Sequence, residues 1–359
     1  MIETRFFSPS EFETLKEYWI ELEKGKDMTA FQRYSWYYAL NKQYLDNCFG
    51  AFDKAVYVVA FSKDNPIMIA PIHIKKYGFE FKGYGSASGA YVIGTWGFTD
   101  YLNYIYCNFN PEAFEAINKA IKNKYKIKAL HINSVMRRTE IQKYLSNKYS
   151  DSFCYETLCV KTEPKDNFDI FFKSMSKSTR QNIRTALNRE IKDGKNIYIK
   201  VFNTVSKQDA EEFYSIYLER SKSKNTINIQ KDGLKNSILK ELNKIYNIRL
   251  KESLKKSNYL VYNMVHNPDS MLVGIYCNEK KIGFLYGLKS TADLWHDILV
   301  CFDENYRFYS PCRTALYRLY KDYVYSSDRN KMTIDMTKGN EKYKYDFCGK
   351  EHFVDSYVI

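Results

Sequence analysis

Ser310-Pro311-Cys312-Arg313-Thr314 is the stretch of this chain best suited to hold an anion. Ser310 reads as an N-cap. Pro311 reads as the first helical residue, where its fixed φ suits a helix and its missing N–H costs nothing. The N–H groups of Cys312, Arg313 and Thr314 would then point out of the helix start at the positive end of its dipole, with no intrahelical acceptor. A phosphate or pyrophosphate fits such a place. The alternative is an ordinary capped helix that binds nothing. Upstream, Lys173, Lys177, Arg180 and Arg184 recur at steps of four, three and four. On one helix they form a basic stripe, able to meet phosphates or simply to face solvent.

Other chemistries find less support. The eight cysteines, at positions 48, 107, 154, 159, 277, 301, 312 and 348, include no CxxC pair and no Cys/His ligand spacing, so no metal site is expected. His296 and Asp297 are neighbours on a strand and would face opposite ways, so they are not expected to pair. His73 and His131 read as satisfied strand residues, and spacing alone supports no Ser/His/Asp nucleophile. The glycine-rich stretch 78–97 suits a loop that lets backbone approach a ligand, but it contains no GxGxxG or GKS/T.

Composition bounds the partners. The chain has 359 residues, more than the ~250–300 at which one core stops growing, so two domains are expected. A net charge of +13 predicts attraction to something acidic, whether nucleotide cofactor, carrier protein, tRNA, phosphorylated sugar or anionic membrane. Lysines are interleaved with acids throughout, so no basic nucleic-acid tail and no DNA partner is expected. No apolar run approaches the ~18 residues of a membrane span, and the N-terminus lacks a signal-length apolar core. A cytoplasmic protein with reduced thiols is the expectation. The 33 Tyr and 23 Phe suit either half-buried grooves or an A/T-rich coding bias.

The elements that must position the anion-binding stretch follow from periodicity. Helices are expected at 10–23 and 31–44, strands at 55–62 and 67–75 around the turn Lys63-Asp64-Asn65-Pro66, and a strand at 101–107. Helix 111–124, strand 129–134, helix 137–148 and strand 155–160 complete a first α/β half. The polar KTEPKDN (161–167) reads as a linker, placing domains at 1–165 and 166–359. The second half reads as helix 168–193, strand 197–202, helix 206–222, helix 234–250, a polar segment 251–270, and strands 271–278, 281–289 and 293–302. The anion-binding loop and its helix come next, followed by strands 332–336 and 353–359.

Laid side by side, the halves share hairpin, strand, helix and strand in the same order, which predicts two copies of one module. The first copy's helix starts Asn110-Pro111-Glu112-Ala113-Phe114-Glu115, with carboxylates that would repel a phosphate. The second starts Ser310-Pro311-Cys312-Arg313-Thr314. If one copy binds a phosphate-bearing donor, it is the second.

Residues 168–188 (FDIFFKSMSKSTRQNIRTALN), the segment FDENYRFYSPCRTAL and residues 335–345 (DMTKGNEKYKY) together resemble the BioF2-like, or CelD/BcsL, acyltransferases of the GNAT superfamily. Residues 31–38 and Thr99-Asp100-Tyr101-Leu102 are similar to that family's first half. The resemblance covers about residue 5 to the C-terminus, and the family is related in fold to the Fem-type aminoacyl transferases, which carry two GNAT modules. It implies an α/β fold of two tandem GNAT-like modules, each a mixed, mostly antiparallel sheet flanked by helices.

The implied activity is transfer of an acyl group to an amine of a small molecule, an amino sugar or a surface-polysaccharide precursor. The donor would be acetyl-CoA, another acyl-CoA, or acyl-phosphopantetheine on an acyl carrier protein. Residues Tyr309, Ser310, Pro311, Cys312, Arg313 and Thr314 occupy the place where GNAT proteins hold the donor's phosphates, and relatives often have Gly where this chain has Cys312. The chemistry needs a base for the amine, a donor for the oxyanion and an acid for the leaving thiolate. Asp335 is the first choice for base, then Glu341 and Asp297. Tyr343 or Tyr309 would protonate the thiolate. Asp100, Asp297, Lys344 and Arg180 are expected to contact substrate. Two other readings stand: a Fem-like, aminoacyl-tRNA-dependent transferase of cell-wall bridges, and a binding module without catalysis. The helices of 206–250 look too interrupted for the coiled-coil arm of Fem proteins.

Overall fold

The computed structural model describes residues 2–45, 53–75, 88–95, 98–230, 259–326 and 331–359. Most of the glycine-rich stretch 78–97, all of the expected helix 234–250 and the early part of segment 251–270 lie outside the described residues. The chain divides into two compact units, Met1–Leu158 with Phe353–Ile359, and Cys159–His352.

Unit 1 contains strands β1 (Ile2–Phe7), β2 (Asp53–Ser62), β3 (Asn65–Lys75), β4 (Gly89–Val92) and β5 (Leu130–Met136), and most of β12 (Lys350–Val358). They lie in the order β1-β2-β3-β4-β5-β12, with only β4 and β5 parallel. Sequence periodicity missed β1. Its register on β2 is unbroken from Ile2 opposite Ser62 to Phe7 opposite Tyr57. The helix α3 (Pro111–Tyr125) follows its N-cap Asn110, whose side chain accepts from Ala113 N at 2.9 Å. Its buried Ala113, Phe114, Ile117 and Ile121 recur at helical spacing and pack with Val58, Ile72, Ile132 and Leu145 of the unit's core. Phe12, Trp19 and Tyr57 form a second, aromatic cluster under the N-terminal helices.

Unit 2 repeats this plan. Its strands β7 (Ile197–Phe202), β8 (Ser270–Cys277), β9 (Lys280–Thr291), β10 (Leu294–Phe302) and β11 (Thr333–Lys338) lie in the order β7-β8-β9-β10-β11, and the end of β6 (Phe153–Thr162) then pairs with β11. Here β10 and β11 are the parallel pair. Even the hairpin turns match. Lys63 and Asp64 in one unit, and Asn278 and Glu279 in the other, all have positive φ, as tight two-residue hairpins require. Each unit is thus a mixed, mostly antiparallel sheet flanked by helices. Unit 2 has its own core, including Phe171, Ile183, Ile275, Leu285, Trp295, Leu316 and Ile334.

Other elements also depart from expectation. The helix expected over 168–193 is two, α5 (Phe168–Ser174) and α6 (Lys177–Lys192), because Met175 is extended and Ser176 caps α6 by accepting from Thr179 N at 3.0 Å. That break divides the basic stripe. The helix expected to end at Lys222 runs as α7 from Lys207 to Gln230. The strand expected over 101–107 is an extended segment tied by a single bridge, Ile105 with Ile69, and by Leu102 N donating to Ser134 O at 3.1 Å.

Candidate functional site

The parallel pair in unit 2 is short. Residues Leu294–His296 pair with Thr333–Asp335, and beyond them both strands are bulged. On β10, Asp297 faces Gly287 and Leu299 faces Tyr286, leaving Ile298 without a partner on β9. On β11, Asp335 faces Lys161 and Lys338 faces Cys159, so one extra residue sits between them. Bulges bend a strand and release ladder groups next to sites. Between the strands is a pocket of about 480 Å³. Asp297, Ile298, Val300 and Phe302 line it from β10, and Met336, Thr337 and Lys338 from β11. Ser310, Pro311, Cys312 and Arg313 come from the start of α9 (Pro311–Arg318), and Arg220 from α7. Glu341, Tyr343 and Lys344 complete the lining around the short α10 (Lys342–Asp346).

The helix start is open, though by a different route from that expected. Ser310 is left-handed (φ 50°, ψ 52°), and its side chain makes no cap bond. Its carbonyl instead accepts from Thr314 N at 3.1 Å, so Cys312 and Arg313, not Thr314, carry the outward N–H groups. Thr314 is fully buried, with Oγ1 on Pro311 O. In unit 1 the corresponding start is closed by Asn110 itself. Glu115, expected to neutralise that start, is instead engaged by the hydroxyls of Tyr144 and Tyr149 and by Lys148. The positive φ that favours glycine falls on Ser310, not on Cys312. Burial pushes the Cys312 thiol up, so it stays protonated. Arg313 donates to Asp346 at 3.2 Å while lining the pocket. Tyr309 does not line the pocket; its hydroxyl donates to Asp193 at 2.9 Å.

The acids separate into those on the pocket and those behind it. Asp297, 3% exposed, and Glu341 both line it. Tyr343 lies between their fields. Burial, followed by the charges of Asp297 and Glu341, raises its phenol well above the ordinary value. Lys344, expected to bind an acidic group, is buried with its ammonium on Lys338 O at 2.5 Å, Thr337 O at 3.3 Å, Gly339 O at 3.4 Å and Glu341 at 3.0 Å. Asp335, expected as base, is 3% exposed and is not part of the lining. Its Oδ2 meets His296 Nδ1 at 3.1 Å, and its Oδ1 meets His352 Nε2 at 3.3 Å and Thr337 N at 2.9 Å. Burial alone would raise its pKa, but the bonds from the two imidazoles outweigh it and hold the carboxyl below the usual range.

His296 therefore does pair with a carboxylate, one on the adjacent strand rather than its chain neighbour, and its Nε2 meets Ser290 Oγ at 2.7 Å. Strand alternation correctly excluded Asp297 but could not see across the sheet. Arg180 lies away from the lining and donates to the carbonyls of Lys173 and Met175, closing the break between α5 and α6. Asp100 belongs to unit 1. Reasoning from sequence missed Arg220, which donates to Glu304 at 3.1 Å and lies over the Phe302 ring. Nothing in its spacing distinguishes it from other basic residues. Thr337 and Lys338 lie within the DMTKGNEKYKY string of residues 335–345, where the acids carry the more evident chemistry.

No family model matches the chain, and no curated protein matches it. Solved structures do. A conserved protein of unknown function from Bacteroides thetaiotaomicron VPI-5482 aligns over 100% of this chain and 99% of its own, at 11% identity and a TM-score of 0.53. FemX aligns over 98% of this chain and 96% of its own, at 13% identity and a TM-score of 0.50. A tandem GNAT protein from the clavulanic acid biosynthesis pathway covers 100% of this chain and 98% of its own, at 8% identity and a TM-score of 0.48. Likeness at such identity concerns fold alone. The chain shares with the first two of these structures, over nearly its whole length, a fold of two α/β modules in one chain. Among the described residues no helix is long and apolar enough to cross a membrane.

Proposed function

We propose that unit 2 is an N-acyltransferase module of the BioF2-like kind. It takes an acyl group from a thioester, on coenzyme A or on carrier-protein phosphopantetheine, and passes it to an amine. The observation that carries this reading is the pocket at the carboxyl ends of the parting strands β10 and β11, with the uncapped start of α9 on its rim. The N–H groups of Cys312 and Arg313, with the Arg313 guanidinium, suit a pyrophosphate. Val300, Phe302 and Met336 suit a pantetheine arm. The bulge at Ile298 offers an unpaired backbone group for the oxyanion. Glu341 takes the proton from the amine, Asp297 holds the amine's charge, and Tyr343 gives its proton to the leaving thiolate. We assign the reaction to the cytosol, where thioester donors are made, and the acceptor to the amino-sugar or surface-polysaccharide class. Unit 1 is then the scaffold copy, since its own segment from Leu102 to Ile105 bonds to Ser134 and Ile69 beside the matching parallel pair.

A second reading keeps one observation in its favour. The long α7 runs unbroken for 24 residues, so its pattern no longer argues against an arm of the Fem type, and FemX shares the fold. An aminoacyl-tRNA would then be the donor. Titration of the purified protein with acetyl-CoA, an acylated carrier protein and aminoacyl-tRNA separates the readings. The thioester reading expects micromolar binding of a thioester and thiol release on adding amines. Binding of aminoacyl-tRNA alone would replace it with the second.

A further inference from the structure

Thr337 lines the pocket with φ of +53°, a left-handed conformation that a β-branched residue enters only under strain. Three bonds hold it there. Its N–H donates to Asp335 Oδ1 at 2.9 Å, its hydroxyl donates to Asp297 O at 3.2 Å, and its carbonyl accepts from Lys344 at 3.3 Å. Asp335 is clamped in turn by His296 at 3.1 Å and His352 at 3.3 Å. Unit 1 holds the matching bulge differently. Its β5 carries an extra residue at the corresponding place on β12, and Ser134 there has φ of +59°. Its N–H goes to the Ser356 hydroxyl at 3.2 Å. Two residues earlier stands Ile132, where unit 2 has Asp335. A left-handed bulge can therefore be held by a neutral hydroxyl. Among the described residues, the buried carboxylate with two imidazoles stands at the bulge of unit 2 and not at the matching bulge of unit 1.

We propose that Asp335 is a positioning residue: its clamped carboxylate holds Thr337 left-handed and so sets the wall of the pocket from Met336 to Lys338. It takes no proton from the substrate, because both its oxygens are engaged and it lies behind the lining. The inference rests on reading the pocket as the thioester site.

The test compares Asp335→Ala, Asp335→Asn, Thr337→Gly and the Asp335→Ala/Thr337→Gly double variant, reading acetyl-CoA affinity, KM and kcat for thiol release, and melting temperature. Asp335→Ala loses about tenfold or more in affinity and KM with kcat little changed, since the strained residue is no longer held. Asp335→Asn keeps an acceptor for the Thr337 N–H and stays within about threefold. Glycine takes positive φ without cost, so the double variant stays within about threefold of Thr337→Gly alone, which itself lacks the hydroxyl tie to Asp297. A fall of ~100-fold in kcat for Asp335→Asn, the signature of a lost base, overturns the proposal. So does a loss on adding Asp335→Ala to Thr337→Gly as large as the loss it causes in the parent. Melting needs no donor: Asp335→Ala drops it by about 2–4 °C or more, and adding Thr337→Gly recovers much of the drop. If acetyl-CoA does not bind the parent protein, the functional reading fails, while this coupling still decides the clamp. If Asp335→Ala does not fold, a folded double variant supports the proposal and an unfolded one overturns it.

Discussion

The hydroxyl of Thr337 donates to the backbone carbonyl of Asp297 at 3.2 Å, tying the bulge of β11 to the bulge of β10 where the two strands part. This neutral hydrogen bond joins the two walls of the pocket. Thr337→Val keeps the β-branched shape and removes the tie. Donor affinity falls about 2–10-fold, the range of one such bond, while the fold survives. Calorimetry with acetyl-CoA measures it, and unchanged affinity would show the walls hold their spacing without the tie.

Tyr343 keeps its proton at neutral pH because burial and then the charges of Asp297 and Glu341 oppose ionisation. A phenol so placed is an acid, not a base. Tyr343→Phe lowers the rate of thiol release by about 10²-fold and leaves donor affinity within about twofold. Equal losses in rate and affinity would assign the ring to packing.

Arg313 has one guanidinium nitrogen on Asp346 and lines the pocket beside the open helix start. Arg313→Gln raises KM about tenfold for acetyl-CoA, which bears phosphates, and about twofold or less for a short acetyl-pantetheine thioester, which bears none. A steady-state comparison of the two donors reads this. Equal effects would remove the phosphates from this end of the pocket.

His131 in unit 1 stacks on Tyr91 at 4.1 Å, and burial depresses its pKa from the ordinary 6.5. The sign follows from linkage: a depressed folded pKa means that the unfolded chain binds the proton first. Stability is complete above pH 6.5 and declines as pH falls through that value toward the lower folded pKa. Asp335 behaves alike at lower pH, its contribution fading only below the ordinary carboxylate range. Denaturant midpoints between pH 7.5 and 5 check this. His131→Phe flattens the decline beginning near 6.5, and an undiminished decline would place its origin elsewhere.

The duplication was legible because its signals are local. Prolines 111 and 311 open matching helices, and the hairpins at Asp64 and Asn278 carry turn residues between alternating strands. The helix start at Pro311 was legible for the same reason, although it is left open by the left-handed backbone of Ser310 rather than capped by its side chain. What could not be read depends on register. Ser290, His296, Asp335 and His352 come from four strands, and only the alignment of those strands makes them a hydrogen-bonded chain. A one-residue bulge likewise leaves no periodic trace, so Thr337 was hidden between more obvious acids. The break at Met175 was missed because apolar spacing continues across it from Phe171 to Ile183, while Ser176 reads as a cap only once the chain is seen to turn.

Thioester binding by the intact protein tests the central claim most directly. Isothermal titration with acetyl-CoA and with an acylated carrier protein, repeated on Arg313→Gln, is the measurement. One site per chain with micromolar affinity for at least one donor, weakened about tenfold by the substitution, is the predicted result. No binding of either donor, or binding indifferent to Arg313, would contradict the account.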